Sequence, residues 1–172
     1  AGTDAILVAA GIAAISEGDF SASNNATSLV FKTGASEAAA EKMRISSTGA
    51  TTITVADNSD TLTLKSTDAD ANVGPVLALH RDSGSPADND IIGRIDFRGD
   101  NDAGEAINYA SIFGKPSDIT DGTEDFKLIV QGMKAGTARN LLQIGEDEVI
   151  VNEDSVDTDF RVESNAQTHM IH

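Results

Sequence analysis

The stretch IIGRIDFRGDNDAGEAINYASIFG, Ile91 to Gly114, sets the fold class. Its first part, IIGRIDFRG (Ile91–Gly99), puts Ile91, Ile95 and Phe97 on one side, with Gly93 where a neighbouring strand can come close. Its last part, INYASIFG (Ile107–Gly114), is a second apolar-rich run. Between them DNDAGE gathers Asp, Asn and Gly, the residues that favour turns. Strand, hairpin loop and strand follow.

The same grammar extends in both directions. Upstream, SLVFKT (Ser28–Thr33) and EKMRIS (Glu41–Ser46) flank GASEAAA. Alone that Ala-rich segment favours a helical turn, but between two alternating runs it reads as a hairpin connection. TTITV (Thr51–Val55), TLTLKS (Thr61–Ser66) and PVLALHRD (Pro75–Asp82) continue the series. Downstream, FKLIVQG (Phe126–Gly132) sets Phe126, Leu128 and Val130 on one face, the turn KAGT follows, and ARNLLQI (Ala138–Ile144), EVIVN (Glu148–Asn152) and DFRVES (Asp159–Ser164) complete the set. About a dozen candidate strands and no long amphipathic helix predict an all-β fold. SLVFKT, TLTLKS and DFRVES share the order polar, apolar, any, apolar, charged, hydroxyl, which suggests stacked units, although any alternating strand looks similar.

The longest apolar run, ILVAAGIAAI (Ile6–Ile15), is too short to cross a bilayer and lacks a basic flank. Two readings stay open for it: a strand buried on both faces, or a short helix, since Val8, Ile12 and Ile15 fall at helical spacing.

Composition limits what such strands can build. Of 172 residues, 40% are hydrophobic but only 4% aromatic, with no Trp, one Tyr and six Phe. Large rings and Leu bury the most area per residue, so a monomer of this chain has a thin core and burial between chains makes up the deficit. A net charge of -16 opposes affinity for phosphate backbones and anionic membranes, which argues against nucleic-acid binding and membrane insertion. There is no Cys, hence no disulfide or thiol chemistry.

The order of the segments resembles a known family. SLVFKTGASEAAAEKMRISSTG (Ser28–Gly49) is similar to the repeated shaft segments of bacteriophage tail fibres, especially those of marine and cyanobacterial phages. The region from TLTLKS to LLQI, including GPVLALHRDSGSPADNDIIGRIDFRGDNDAGEAINYASI and DITDGTEDFKLIV, looks like a β-rich fibre module, and EVIVNEDSVDTDFRVESNAQTHMIH resembles a following connector. GATTITV stands where the shaft pattern has a further Gly-rich turn. The resemblance implies an elongated homotrimeric fibre of short strands and hairpins, intertwined or stacked around a threefold axis. It implies three modules: a shaft segment over 1–60, a β-rich module over 61–146 and a connector over 147–172. It also implies a place in the virion, outside the cell, with other tail proteins and a host receptor, glycan or protein, as partners. Because the chain begins at Ala1 and ends at His172 without a cap or turn, it is expected to be a piece of something longer.

Candidate chemistry is sparse. Asp100, Asp102 and Glu105 in DNDAGE, Asp118 and Asp121 in DITDGTED, and Asp154, Asp157 and Asp159 in NEDSVDTD offer oxygen ligands suited to calcium or another hard divalent cation, yet none completes a twelve-residue calcium loop. Asp and Asn are also ordinary turn residues. Three copies of His80, His169 or His172 on an axis would suit a transition metal, against a plain structural role for each. Hydrolysis of polysaccharide needs paired carboxylates in a cleft, usually with aromatic platforms that this chain lacks. No nucleophile elbow or phosphate-cradling loop is present, so the expectation is a structural, adhesive protein and not an enzyme. A bacterial surface adhesin or extracellular filament subunit is the alternative.

Overall fold

The computed structural model describes residues 7–155. All regular structure there is antiparallel β, in two sheets that belong to separate compact units dividing between Val76 and Leu77. The first sheet runs β1 (Ala10–Ser16), β2 (Thr27–Thr33), β3 (Ala40–Ile45), β4 (Thr51–Ile53), side by side in chain order. The second runs β5 (Gly93–Asp100), β6 (Ala106–Asp118), β7 (Asp125–Lys134), β8 (Thr137–Gly145), β9 (Val149–Val151), again a simple meander. Such order follows from short connections, because a strand that reverses through a tight turn can only pair with its predecessor.

The hairpin read from DNDAGE is β5–β6. Asn101 ties the turn: its Oδ1 accepts the amides of Ala103 and Glu105 at 3.0 and 2.8 Å, and Gly104 takes φ 77°. GASEAAA connects β2 to β3 without a helix. Pro116, with no N–H to give, lies where β6 has outrun β5; its carbonyl accepts the amide of Asn89 at 2.8 Å, and the β6–β7 register shifts just beyond it.

Four expectations change. Ile6–Ile15 contributes a strand, β1, but an edge strand with Ile12 69% exposed, and so neither a helix nor a strand buried on both faces. Thr61–Ser66 and Pro75–Asp82 form no strand. Their alternation marks a face but supplies no edge to pair with, and Leu79 packs over Gly93 instead, where an added Cβ would stand 2.6 Å from the Leu79 Cβ. Val149–Val151, placed in the expected connector, joins the second sheet through β8. DFRVES lies outside the described residues, so the three-fold repeat has one unit in β2, one unpaired and one not described.

Each sheet has one apolar and one polar face. Register puts Ile12, Phe31, Met43 and Ile53 in one rung and Ala14, Leu29 and Ile45 in another on the same side of the first sheet. In the second, the rungs Ile95–Ile112–Val130–Leu142–Val151 and Leu128–Ile144–Val149 share a side, and Phe97 and Phe126 continue it. These apolar sides are the open ones. Among the described residues only Val30, Phe113 and Ile129 are buried hydrophobics, and all three stand on the polar faces.

The β7–β8 loop is Ala135–Gly136, two residues between the paired Lys134 and Thr137, with φ of 49° and 75°. Positive φ at both positions suits Asn-Gly, and Ala is strained at the first. Ala135→Asn is expected to raise stability by about 0.5–1 kcal/mol, read as a higher urea midpoint with an unchanged slope.

Candidate functional site

The polar faces carry two hydrogen-bonded carboxylate clusters. In the first sheet, Glu17 sits just beyond β1 and reaches across the strand ends. Its carboxylate accepts the Ser28 hydroxyl at 2.6 Å, the Ser47 amide at 2.8 Å and the Ser47 hydroxyl at 2.5 Å. The hydroxyl of Ser28, the two donors of Ser47 and then the charge of Arg44 hold the Glu17 carboxyl at about 2, from an ordinary 4.5. The cluster ties β1, β2 and the β3–β4 turn together beside the buried Ser28 and Val30. Arg44 in β3 grips Glu41 through two bonds of 2.7 and 2.6 Å.

In the second sheet Asp96, on β5, is the centre. Partial burial pushes its pKa up, but donors from Arg94, Arg98, Ser111 and Asn108 outweigh that and leave it well below the usual carboxylate range. Arg98 Nη2, Asn108 Nδ2 and Ser111 Oγ each lie 2.9 Å from an Asp96 oxygen, and Arg94 Nε also donates to it. Because Asn108 Nδ2 donates to both Asp96 and Ser111, the amide is held with Oδ1 turned into the protein, buried without a partner. In register with Asp96 and Ser111 stands Gln131, whose Nε2 donates to Asn140 Oδ1 at 2.9 Å. Every donor found around these carboxylates serves the sheet itself, which makes the clusters fasteners of the fold.

The acidic turns are laid out separately. Asp100 ends β5, and Asn101 Nδ2 bonds Glu105 at 2.8 Å. Asp118 accepts the Thr120 amide at 2.7 Å, in a different turn, and Asp88 accepts that of Ile119 at 3.1 Å. Asp154 accepts the Asn140 amide at 2.9 Å. Among the described residues no three His, Asp or Glu side chains gather as a metal-binding group. His80 lies in the unpaired segment before β5; Asp157, Asp159, His169 and His172 fall outside the described residues.

What the sequence reading missed is a surface. Leu77, Leu79, Ile92, Ile95, Ile112 and Leu128 line an open apolar depression of about 300 Å³ on the second sheet. A neighbouring one of about 380 Å³ runs on past Gly114 to Pro116 and Phe126. Alternation of Ile95, Phe97, Phe126 and Leu128 marked this face in the sequence; that these four side chains stay 39–54% exposed among the described residues was not visible there.

Comparison with family models, with curated proteins and with solved structures returned no match.

The carboxylate clusters set an acid limit. A group whose folded pKa lies below its unfolded one contributes stability above the unfolded value and loses it as pH falls through the folded one. For Glu17 that window runs from about 4.5 down to about 2. Thermal melts between pH 7 and pH 2 should show stability falling across it, and Glu17→Gln should flatten the fall. An unchanged slope would remove Glu17 from that role.

Proposed function

We propose that this chain is a structural and adhesive segment of an extracellular, homotrimeric viral tail fibre. Three copies meet through their apolar faces and hold a distal receptor-binding part in place. One observation carries this reading: among the described residues, each sheet exposes large apolar side chains on one side while hydrogen-bonded carboxylates fasten the other.

The magnitude favours association over a merely sticky monomer. On the second sheet Leu77, Leu79, Ile92, Ile95, Phe97, Phe126, Leu128, Val149 and Val151 are between 39% and 63% exposed. At about 180 Å² for a large side chain, they present roughly 800 Å² of apolar surface, about one partner's share of a standard protein interface. The largest patch on an ordinary monomer is about 300–600 Å². Covering such a face removes roughly 20 kcal/mol of apolar exposure per copy, before the costs of association, at about 25 cal/mol per Å².

The resemblance of Ser28–Gly49 to phage shaft segments supports the choice of three copies and of a fibre. Outward polar faces and a net charge of -16 keep such an assembly soluble. Its working principle is rigidity and multivalency, since linked sites combine weak contacts without a deep pocket. The role is mechanical and adhesive, with no catalytic step assigned to any residue.

Sedimentation or native mass measurement should give a species of three times 17.8 kDa. Phe126→Glu, which puts a charge on the apolar face, should weaken association at least tenfold while strand content is retained. A wild-type chain that stays monomeric at high micromolar concentration, without binding a dye for exposed apolar surface, would overturn the trimer.

A further inference from the structure

Among the described residues the first sheet has two unpaired edge strands as well as an exposed apolar face. β1, AGIAAIS, is a seven-residue edge strand with no charge, no Pro and an unbroken register against β2. Edge strands of this kind are usually blunted by a charge, a Pro or a bulge, because their free N–H and C=O groups invite another strand. The opposite edge is β4, Thr51–Ile53, which Thr54 extends by donating to the Lys42 carbonyl at 2.9 Å.

We propose that β1 of one copy pairs with β4 of the next, so that three copies close the first sheet into a ring of twelve strands. This rests on the trimer of the preceding section and specifies how its first sheet closes. Three properties of the sheet converge on it.

The first is strand direction. Four antiparallel strands give β1 and β4 opposite directions, so rotation about an axis along the strands brings them together as an ordinary antiparallel pair. The five strands of the second sheet give β5 and β9 the same direction, and the same operation there would force a parallel pair.

The second is size. Four strands about 4.8 Å apart make a side of about 19 Å, and a triangle of such sides has its axis about 5.5 Å from each sheet, near half the ~10 Å spacing of packed sheets. Ile12, Leu29, Phe31, Met43, Ile45 and Ile53, all on the apolar side, then meet at the axis without a void. Two copies stacked face to face would also cover that side, but would leave every edge open.

The third is register. With strands along the axis each rung returns at its own height, which sets Ile53 opposite Ile12, Thr52 opposite Ala13 and Thr51 opposite Ala14 of the next copy. Ile53 and Ile12 thus pair on the apolar side. Thr51, in the rung of Ile45, Leu29 and Ala14, stands on that side too, and a slip of one residue would set Ile53 opposite Ala13, whose side chain takes the other face. Pairing β1 with β4 is heterologous, and at three copies the ring is complete.

The chain has no Cys, so introduced thiols report cleanly. Ala13 and Thr52 share the outer side, and the double variant A13C/T52C should oxidise to a covalent trimer on a non-reducing denaturing gel, with linked dimers on the way. A13C/T54C covers a tilt that shifts the register by two residues, and a cross-link in either pair supports the ring. Native mass of the reduced variants, compared with that of wild type, checks that assembly is intact. A13C alone and T52C alone should stay uncross-linked, because a heterologous contact never brings two copies of one residue together. Dimers from A13C alone would mean twofold β1–β1 pairing and would overturn the ring. A trimeric native mass with no cross-link in either double variant would overturn the edge pairing and leave the trimer standing. A monomeric wild-type mass would remove both.

Discussion

A single-layer β-sheet has two faces, and this chain has the means to cover only one of each. The polar side carries the carboxylate clusters and the buried Val30, Phe113 and Ile129. On the other side Ile12, Ile95, Phe97, Phe126 and Leu128 remain substantially exposed, with no second layer among the described residues of their own units. Burial of apolar area is the main favourable contribution to folding, so an uncovered face of this size is stability left for another surface to complete. The thin core and the proposed assembly both trace back to that shortage.

The clusters around Glu17 and Asp96 fit the same constraint. A sheet without a second layer depends on its own rungs to keep register, and each cluster locks neighbouring strands by groups of fixed geometry. Glu17 joins the end of β1 to Ser28 in β2 and to Ser47 beyond β3, and Asp96 collects donors from β5 and β6. Charge-assisted hydrogen bonds are directional where apolar packing is not, so they hold the strands in one register without help from the apolar side. This division of labour keeps the carboxylates on one side of each sheet and the large apolar side chains on the other.

Much of this was legible beforehand. The all-β class, the β5–β6 and β7–β8 hairpins and the close approach at Gly93 follow from alternation and from turn residues such as Asn101, Gly104 and Gly136. The acidic turns were conspicuous in sequence but the fold distributes Asp100, Asp118 and Asp154 among different loops, since neighbours along the chain are carried apart once each hairpin reverses. The two clusters that do form were not legible: Glu17 with Ser47, and Asp96 with Ser111, are brought together by register across strands, and no spacing in the sequence announces them.

By itself, then, the sequence determined the all-β class, most of the strands and turns, and that few bulky side chains exist for an ordinary core. Period-two alternation and turn chemistry are local properties, readable residue by residue. Only the tertiary structure decided that Ile6–Ile15 yields an edge strand, that Thr61–Ser66 and Pro75–Asp82 find no ladder, and that the apolar sides of both sheets stay open. Those outcomes depend on which backbone edge is within reach and on what lies above each face, and neither is encoded in the pattern of one strand.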